Sequence, residues 1–506
     1  MHFIDNLLNK FTMYRVVLYG LTFIALCSFV VSFFKIISFT PAELAVSLFT
    51  IIVTCAVVNG VFAKLFKIPA NTESVFITAW ILFFIIIPTT LVADIYWIVG
   101  ISALAMASKY LFVFRKQHLF NPAAIALVIT GALGSSLSFW WIATPTLLPV
   151  VAIVGFLIVR KIHRFNIVIP FLVVSLTILI GKGLMEGVGF GALVKEFLLS
   201  WPLIFFGTVM LTEPLTTPAR KHLQVAYGIV VGILFSLHFE FKSIFSSPEL
   251  ALVLGNIFSA IASPKHRMVL VFKEKIKLSA NMFEFVFTAP RHLKFIPGQY
   301  AEWTLFHPNP DTRGNRRYFT LASAPESREV AMGIRLSDPS SSFKKQLCTL
   351  APGDTIMTSS AAGDFVLPRD TSKKIVFVAG GIGVTPFASI MRHLLTTKEK
   401  RTITQLYSVR TCEDIAYQPL FDQAEKELGI VTKYIVTDTT CVPKGWDTPT
   451  GYISDPTVRQ LVPDFKERLF YISGPFVMVD ATEKLLKKMG VPSSQIKTDF
   501  FPGFAG

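Results

Sequence analysis

The chain has 506 residues, a net charge of +15, 47 phenylalanines and only 16% charged residues. That length allows three or four domains, and that composition excludes an ordinary soluble globular protein. The basic residues are dispersed among loops rather than gathered with aromatics on one face, which argues against a nucleic-acid partner and fits loops beside anionic lipid.

Up to residue 263 the chain is a succession of apolar stretches of about 17 to 24 residues, the length that crosses a hydrocarbon core of about 30 Å. Ten spans are predicted, at 14–34, 42–63, 75–90, 92–108, 119–136, 145–159, 166–182, 197–212, 223–238 and 248–263. One set of connections carries Lys10, Arg15, Lys64, Lys67, Arg115, Lys116, Arg160, Lys161, Arg164, Arg220, Lys221, Lys265 and Arg267; the alternate set carries only Lys35, Lys182, Lys195 and Lys242. Lys and Arg accumulate on the cytoplasmic side, so the alternation predicts a multi-pass plasma-membrane protein with both termini and everything after residue 263 in the cytoplasm. The first span lacks a small-residue cleavage motif and reads as a retained helix.

Cys27, Cys55, Cys348, Cys412 and Cys441 form no Cys-x-x-Cys pair, which argues against a disulfide framework, a structural zinc and a cysteine-ligated cluster. His118, His163, His222 and His238 fall at or near span ends, whereas a bis-histidine haem needs facing pairs at mid-membrane depth. Asp94 and Glu213 also sit near ends, so no cluster of carboxylates marks an ion path. Organic cofactors are left to carry electrons.

After Pro264 the pattern changes. Short alternating runs at 268–272, 282–287, 299–305 and 330–336, with turn signals at Pro297-Gly298 and Pro352-Gly353-Asp354, predict a small antiparallel β-barrel over 266–369. From 370 to 506 the order strand (374–379), helix (386–395), strand (404–408), then strands at 431–436 and 468–472, predicts an α/β doubly wound parallel sheet. The expected architecture is therefore a polytopic α-helical membrane domain (1–263) followed by these two.

Two motifs in this region stand out: Arg317-Tyr318-Phe319-Thr320, and Gly380-Gly381-Ile382-Gly383-Val384-Thr385-Pro386 between an apolar strand and a helix. With Tyr471-Ile472-Ser473-Gly474-Pro475 they resemble, in order, the motifs of the ferredoxin–NADP reductase superfamily. The resemblance implies that Arg317 grips the pyrophosphate of FAD, that Tyr318 and Phe319 lie in the flavin site with Phe319 packed on the isoalloxazine, and that Thr320 hydrogen-bonds near flavin N5. Ser341 and Ser342 resemble the second phosphate-binding turn, without its usual glycine. Gly380, Gly381, Gly383 and Pro386 would let backbone approach the nicotinamide cofactor's pyrophosphate. Thr385, Ser473, Gly474 and Pro475 would enclose the nicotinamide, with Thr320, Thr385 and Ser473 as the catalytic hydroxyls; the family usually has Cys where Ser473 stands. Ser408 and Arg410 follow the second strand of the sheet, where the cofactor's 2′ position is read, and Arg410 tilts the expectation toward NADPH over NADH. The closing Asp499 to Phe504 resembles the family's terminal aromatic segment.

The first part carries a second resemblance. Ten spans, His118-Leu119-Phe120-Asn121-Pro122 and Leu211-Thr212-Glu213-Pro214 are similar to the D component of the Rnf complex and the B component of the sodium-translocating NADH:quinone reductase, which hold flavins. It implies a second flavin, FMN or riboflavin, near Asn121; the Ser-Gly-Ala-Thr run of covalent attachment is reduced here to Ala143-Thr144, so the flavin would be non-covalent. The expected activity passes electrons from cytoplasmic NADPH or NADH through FAD to a flavin or quinone in the membrane, with the bilayer and a quinone or redox protein as partners. Two other readings are a transmembrane reductase of an external acceptor such as ferric iron, and an independent reductase tethered to a flavin transporter or anchor.

Overall fold

The computed structural model describes all residues except 1–7, 9–10, 67–71, 115–116, 219, 238–239, 242–243, 264–266, 309, 312–313, 443–447 and 502–506. Lys10, Lys67, Arg115, Lys116, His238, Lys242, Pro264, Lys265 and the terminal Pro502 to Phe504 thus lie outside the described residues. The chain divides into two compact units, Met1–Lys265 and His266–Gly506.

The helices of the first unit are α1 (Met13–Phe33), α2 (Pro41–Leu65), α3 (Thr72–Ile85), α4 (Val92–Leu111), α5 (Pro122–Ala132), α6 (Leu148–Ile162), α7 (Phe165–Met185), α8 (Phe190–Leu199), α9 (Leu203–Met210), α10 (Lys221–Ser236) and α11 (Pro248–Ala262). Local chemistry sets their starts. Thr40 and Glu43 form a reciprocal capping box ahead of α2 with Pro41 in its first turn, and Asn121 and Ser247 cap α5 and α11, again with Pro next. Gly228 and Gly232 of α10 face the α7 backbone so closely that a Cβ at Gly228 would collide with the carbonyl of Ile167, the small-residue approach typical of packed helices in lipid.

Among the described residues, α1, α2, α4 and α7 are long and apolar enough to cross a membrane, and α8 with α9, bent by 56°, makes a fifth if the pair is one span. Two predicted spans are shorter than expected. The third ends at Ile85 instead of 90, and the fifth covers Pro122–Ala132 instead of 119–136. Pro88 cannot continue a helix and disfavours it at Ile87, while Gly134, at φ +99°, closes the end of α5. The stretches that follow pair with each other: Ile87 N–H donates to Leu137 O at 2.9 Å, Phe139 and Trp140 N–H to Ile85 O at 2.9 Å, and Trp141 Nε1 to Phe83 O at 2.6 Å. Ile85, Ile86, Leu137, Trp140 and Trp141 are buried, so this irregular backbone is enclosed by protein.

The second unit has two sheets. The strands β1 (Met268–Lys277), β2 (Met282–Thr288), β3 (Tyr300–Thr304), β4 (Arg316–Thr320), β5 (Glu329–Arg335) and β6 (Thr355–Thr358), with the short helix α12 (Ser342–Cys348) before β6, form an antiparallel sheet in the order β4-β3-β6-β1-β2-β5. Phe285, Phe287, Trp303, Met332 and Phe343 are buried in its core. Then come β7 (Ile375–Gly380), α13 (Thr385–Thr397), β8 (Ile403–Val409), α14 (Gln418–Leu428), β9 (Val431–Val436), α15 (Asp455–Leu461), β10 (Leu469–Pro475), α16 (Phe476–Lys488) and β11 (Ile496–Phe501). Their parallel order, β9-β8-β7-β10-β11, reverses direction between β7 and β10, and the glycine turn follows β7 at that point.

Candidate cofactor site

Strand β4 pairs with β3 in the register Trp303↔Arg317 and Ala301↔Phe319. The pleat sends Arg317 and Phe319 to one face, where Phe343 lies 5.5 Å from the guanidinium and 5.7 Å from the Phe319 ring. Tyr318 therefore points to the other face, edge-on to Tyr300 at 5.8 Å, with its hydroxyl donating to Glu302 Oε2 at 3.0 Å. The guanidinium of Arg317 is nearly buried: Nη1 donates to Gly314 O at 2.8 Å and Arg316 O at 2.7 Å, and Nη2 to Asp311 Oδ1 at 2.8 Å. Ser342 shares that partner through its N–H to Asp311 Oδ2 at 3.0 Å, and its hydroxyl accepts from Asp311 N–H at 2.9 Å. Ser341 caps α12, accepting from Lys344 N–H at 3.3 Å.

Past Thr320 the chain runs directly onto α13. Ser389 Oγ donates to Ser323 O at 2.8 Å and Arg392 Nη1 to Ala322 O at 2.9 Å, so the end of the flavin-like motif is docked on the helix that follows the glycine turn. Thr385 opens that helix, with its hydroxyl on Ile382 O at 3.1 Å and its methyl against Gly333 of β5. Gly381 sits at φ +52°, and a Cβ on Gly383 would run into the backbone of Ser473 and Gly474. Gly380 and Gly474 are likewise in contact, and Pro475 follows at the start of α16. The Gly380–Pro386 and Ser473–Pro475 loops are thus brought together, backbone on backbone.

Two hydroxyls here are buried without a hydrogen-bond partner: Thr320 Oγ1 and Ser473 Oγ. A buried polar atom left unpaired is costly, so such a pair fits a polar ligand that completes it, as the flavin and nicotinamide rings would. Ser408 is buried at the end of β8, and Arg410 is exposed beyond it. Thr440 hydrogen bonds, and more weakly the Arg410 charge, hold the Asp438 carboxyl below the usual range, which places a cation and an anion together at this edge.

In the first unit the structure joins the two predicted segments. Asn121 Oδ1 accepts from Ala123 and Ala124 N–H at 3.1 and 3.2 Å while its Nδ2 donates to Glu213 Oε2 at 3.1 Å. His118 Nε2 lies 3.1 Å from Glu213 Oε1, and Asn256 Oδ1 accepts from Asn121 N–H at 2.8 Å. Asn256, Asp311, His307 and the pair Glu284–Arg392 belong to no motif; Asn256 and the Glu284–Arg392 pair meet partners more than a hundred residues away, while Asp311 and His307 share Ser342, 31 and 35 residues on.

Residues 377–484 match the family model of the oxidoreductase NAD-binding domain. Among curated proteins, the F component of the Na(+)-translocating NADH-quinone reductase of Neisseria meningitidis is 28% identical over 200 residues, 37% of this chain and 49% of the relative. That of Yersinia pseudotuberculosis is 26% identical over 226 residues, 41% and 55% respectively. The chain spans about half the length of the curated relatives it matches. A solved flavohem-like FAD/NAD-binding domain of nitric oxide dioxygenase from Vibrio cholerae superposes with a TM-score of 0.41 at 22% identity, covering 46% of this chain and 98% of that one. A ferredoxin NADP+ reductase from Neisseria gonorrhoeae gives 0.40 at 18%, with the same coverage of 46% and 98%. The second unit thus contains, at residues 377–484, a segment that matches the oxidoreductase NAD-binding domain, with the glycine turn near its start and the Ser473–Pro475 loop near its end.

Proposed function

We propose that this protein is a membrane-bound electron carrier that takes hydride from cytoplasmic NADPH or NADH onto FAD in the second unit and delivers electrons to a flavin or quinone in the first. The observation that carries the reading is the meeting of the Gly380–Pro386 and Ser473–Pro475 loops, backbone on backbone, with two buried hydroxyls of the same unit, Thr320 Oγ1 and Ser473 Oγ, left without a hydrogen-bond partner. Bound FAD supplies hydride acceptance and single-electron release. The chain's own residues do the rest. Arg317 and Ser342 would hold the flavin's phosphate, Phe319 would pack beside its ring, and Thr320 would hydrogen-bond its edge. Thr385, Ser473, Gly474 and Pro475 would confine the nicotinamide, with Gly380, Gly381, Gly383 and Pro386 giving its phosphates access to backbone N–H groups, and Ser408 and Arg410 would read its 2′ position.

For the first unit, the ten-span topology with cytoplasmic termini and the likeness to the flavin-holding components of the Rnf complex and the sodium-translocating quinone reductase belong to the same proposal. Its second flavin would sit at the Asn121–Glu213–His118 cluster, where helix ends leave polar groups for a ligand. The test compares the full chain with the 266–506 fragment. Both should reduce a soluble dye with NAD(P)H, only the full chain should reduce a membrane quinone efficiently, and it should hold more than one flavin. Asn121→Leu should impair quinone reduction and spare dye reduction. Equal quinone rates from fragment and full chain would make the first unit an anchor or a transporter.

A further inference from the structure

The donors that would hold a flavin phosphate already hold an anion of this chain. Asp311 lies on the 305–315 connection between β3 and β4 and presents both carboxylate oxygens to them: Arg317 Nη2 is 2.8 Å from Oδ1 and 3.0 Å from Oδ2, and Ser342 N–H is 3.0 Å from Oδ2. The grip runs both ways, since Asp311 N–H donates to Ser342 Oγ at 2.9 Å and His307 Nε2 lies 3.0 Å from that same Oγ. The side chain of Arg317 is 8% exposed and that of Asp311 23%, so the pair is largely withdrawn from water. A carboxylate and a phosphate recognise the same guanidinium fork and the same backbone N–H by the same charge-assisted bonds. Two anions on one buried cation repel each other, and a phosphate cannot take those donors while Asp311 keeps them.

We propose that Asp311 sets the flavin specificity of the site: it fills the phosphate-binding donors of Arg317 and Ser342 and must be displaced by a phosphate-bearing flavin. It therefore discriminates against FAD and leaves a flavin without phosphate unaffected. Free inorganic phosphate, with no ring to anchor it, is kept out, whereas FAD displaces the carboxylate by adding the contacts of its ring and adenosine. The inference rests on the reading that Arg317 holds a flavin phosphate.

The test uses flavin-stripped full-length protein in detergent, titrated with FAD and, separately, riboflavin by equilibrium dialysis. Asp311→Asn, which keeps the shape and removes the charge, should tighten FAD by roughly tenfold or more and change riboflavin by less than about twofold. Weaker or unchanged FAD binding would overturn the proposal, the first by making Asp311 a support that orients Arg317. Equal tightening of both flavins would overturn it too. Arg317→Ala separates the two readings, because undiminished FAD affinity in that variant removes the phosphate assignment itself, whereas lost FAD affinity with a null Asp311→Asn result removes only the role of Asp311. A second measurement needs no variant. In the wild type, FAD but not riboflavin should speed amide hydrogen exchange at Asp311, whose N–H leaves Ser342 Oγ, while the Ser342 N–H passes from carboxylate to phosphate and stays protected; unchanged exchange at Asp311 with FAD, or the same change with both ligands, would refute displacement.

Discussion

Glu284→Gln should weaken the second unit by about 3 kcal/mol. Glu284 lies on β2 with its side chain 4% exposed, and it receives Arg392 of α13 in a two-pronged pair, Nη1 to Oε1 at 2.8 Å and Nη2 to Oε2 at 2.9 Å. Tyr417 adds its hydroxyl to Oε1 at 3.0 Å, and the guanidinium lies 5.3 Å from the Tyr417 ring. This cluster ties the antiparallel sheet to the first helix of the parallel one. Removing one charge of a buried pair costs about 3–5 kcal/mol because the other is stranded. Arg392 is 28% exposed and keeps Ala322 O, which argues for the low end of that range. For a unit of this size about 3 kcal/mol corresponds to a fall of about 6–12 °C in Tm. Calorimetry of the detergent-solubilised protein reads it directly, and a shift below about 2 °C refutes the reasoning. Converting both partners, Glu284→Leu with Arg392→Met, should recover much of the loss, since paired apolar groups strand no charge.

Gly383→Ala should abolish tight nicotinamide-cofactor binding, measured by NADPH fluorescence, because its Cβ meets backbone of Ser473 and Gly474 that cannot rotate away; an unchanged Kd would show that the loops can part. Arg410→Ala should raise KM for NADPH far more than for NADH, since only NADPH carries the 2′-phosphate, and equal effects would return Arg410 to a surface role. Burial, and secondarily the Glu284 charge, pushes the Tyr417 phenol well above its ordinary range, and burial pushes Tyr471 up to about 12 and raises Tyr407 and Tyr434 as well. A raised folded value contributes stability that is present below the unfolded value of about 10 and lost as pH climbs through the folded one, so the urea midpoint of this unit should fall steeply above about pH 10. A midpoint flat to about pH 11.5 would contradict that, and Tyr417→Phe should shallow the fall.

Strands are legible in the sequence where a run of β-branched and aromatic residues is long enough to stand out from the turns around it. Val431–Val436 coincides with its predicted range, and Met282–Thr288 nearly so, because both are such runs. Thr355–Thr358 carries no such signal; four residues, half of them Thr, hold too little alternation, and their partner β1 is far off in sequence. The third helix reads too long for the opposite reason: Phe83 to Ile87 is uniformly apolar, so no periodicity marks where the helix stops. The motif residues around the glycine turns are read from local chemistry. Glu284 and Arg392, 108 residues apart, look in sequence like two surface charges.

The paired stretches after α3 and α5 bear on how the first unit is made. A helix of 14 residues is about 21 Å long and one of 11 about 17 Å, so neither alone reaches across a hydrocarbon core of about 30 Å. The carbonyl of Ile85 and the N–H of Ile87 find partners in Leu137, Phe139 and Trp140. If α3 and α5 lie in a bilayer, as the proposed ten-span topology has it, their insertion is coupled, because the backbone groups that end α3 are satisfied only by the stretch that follows α5.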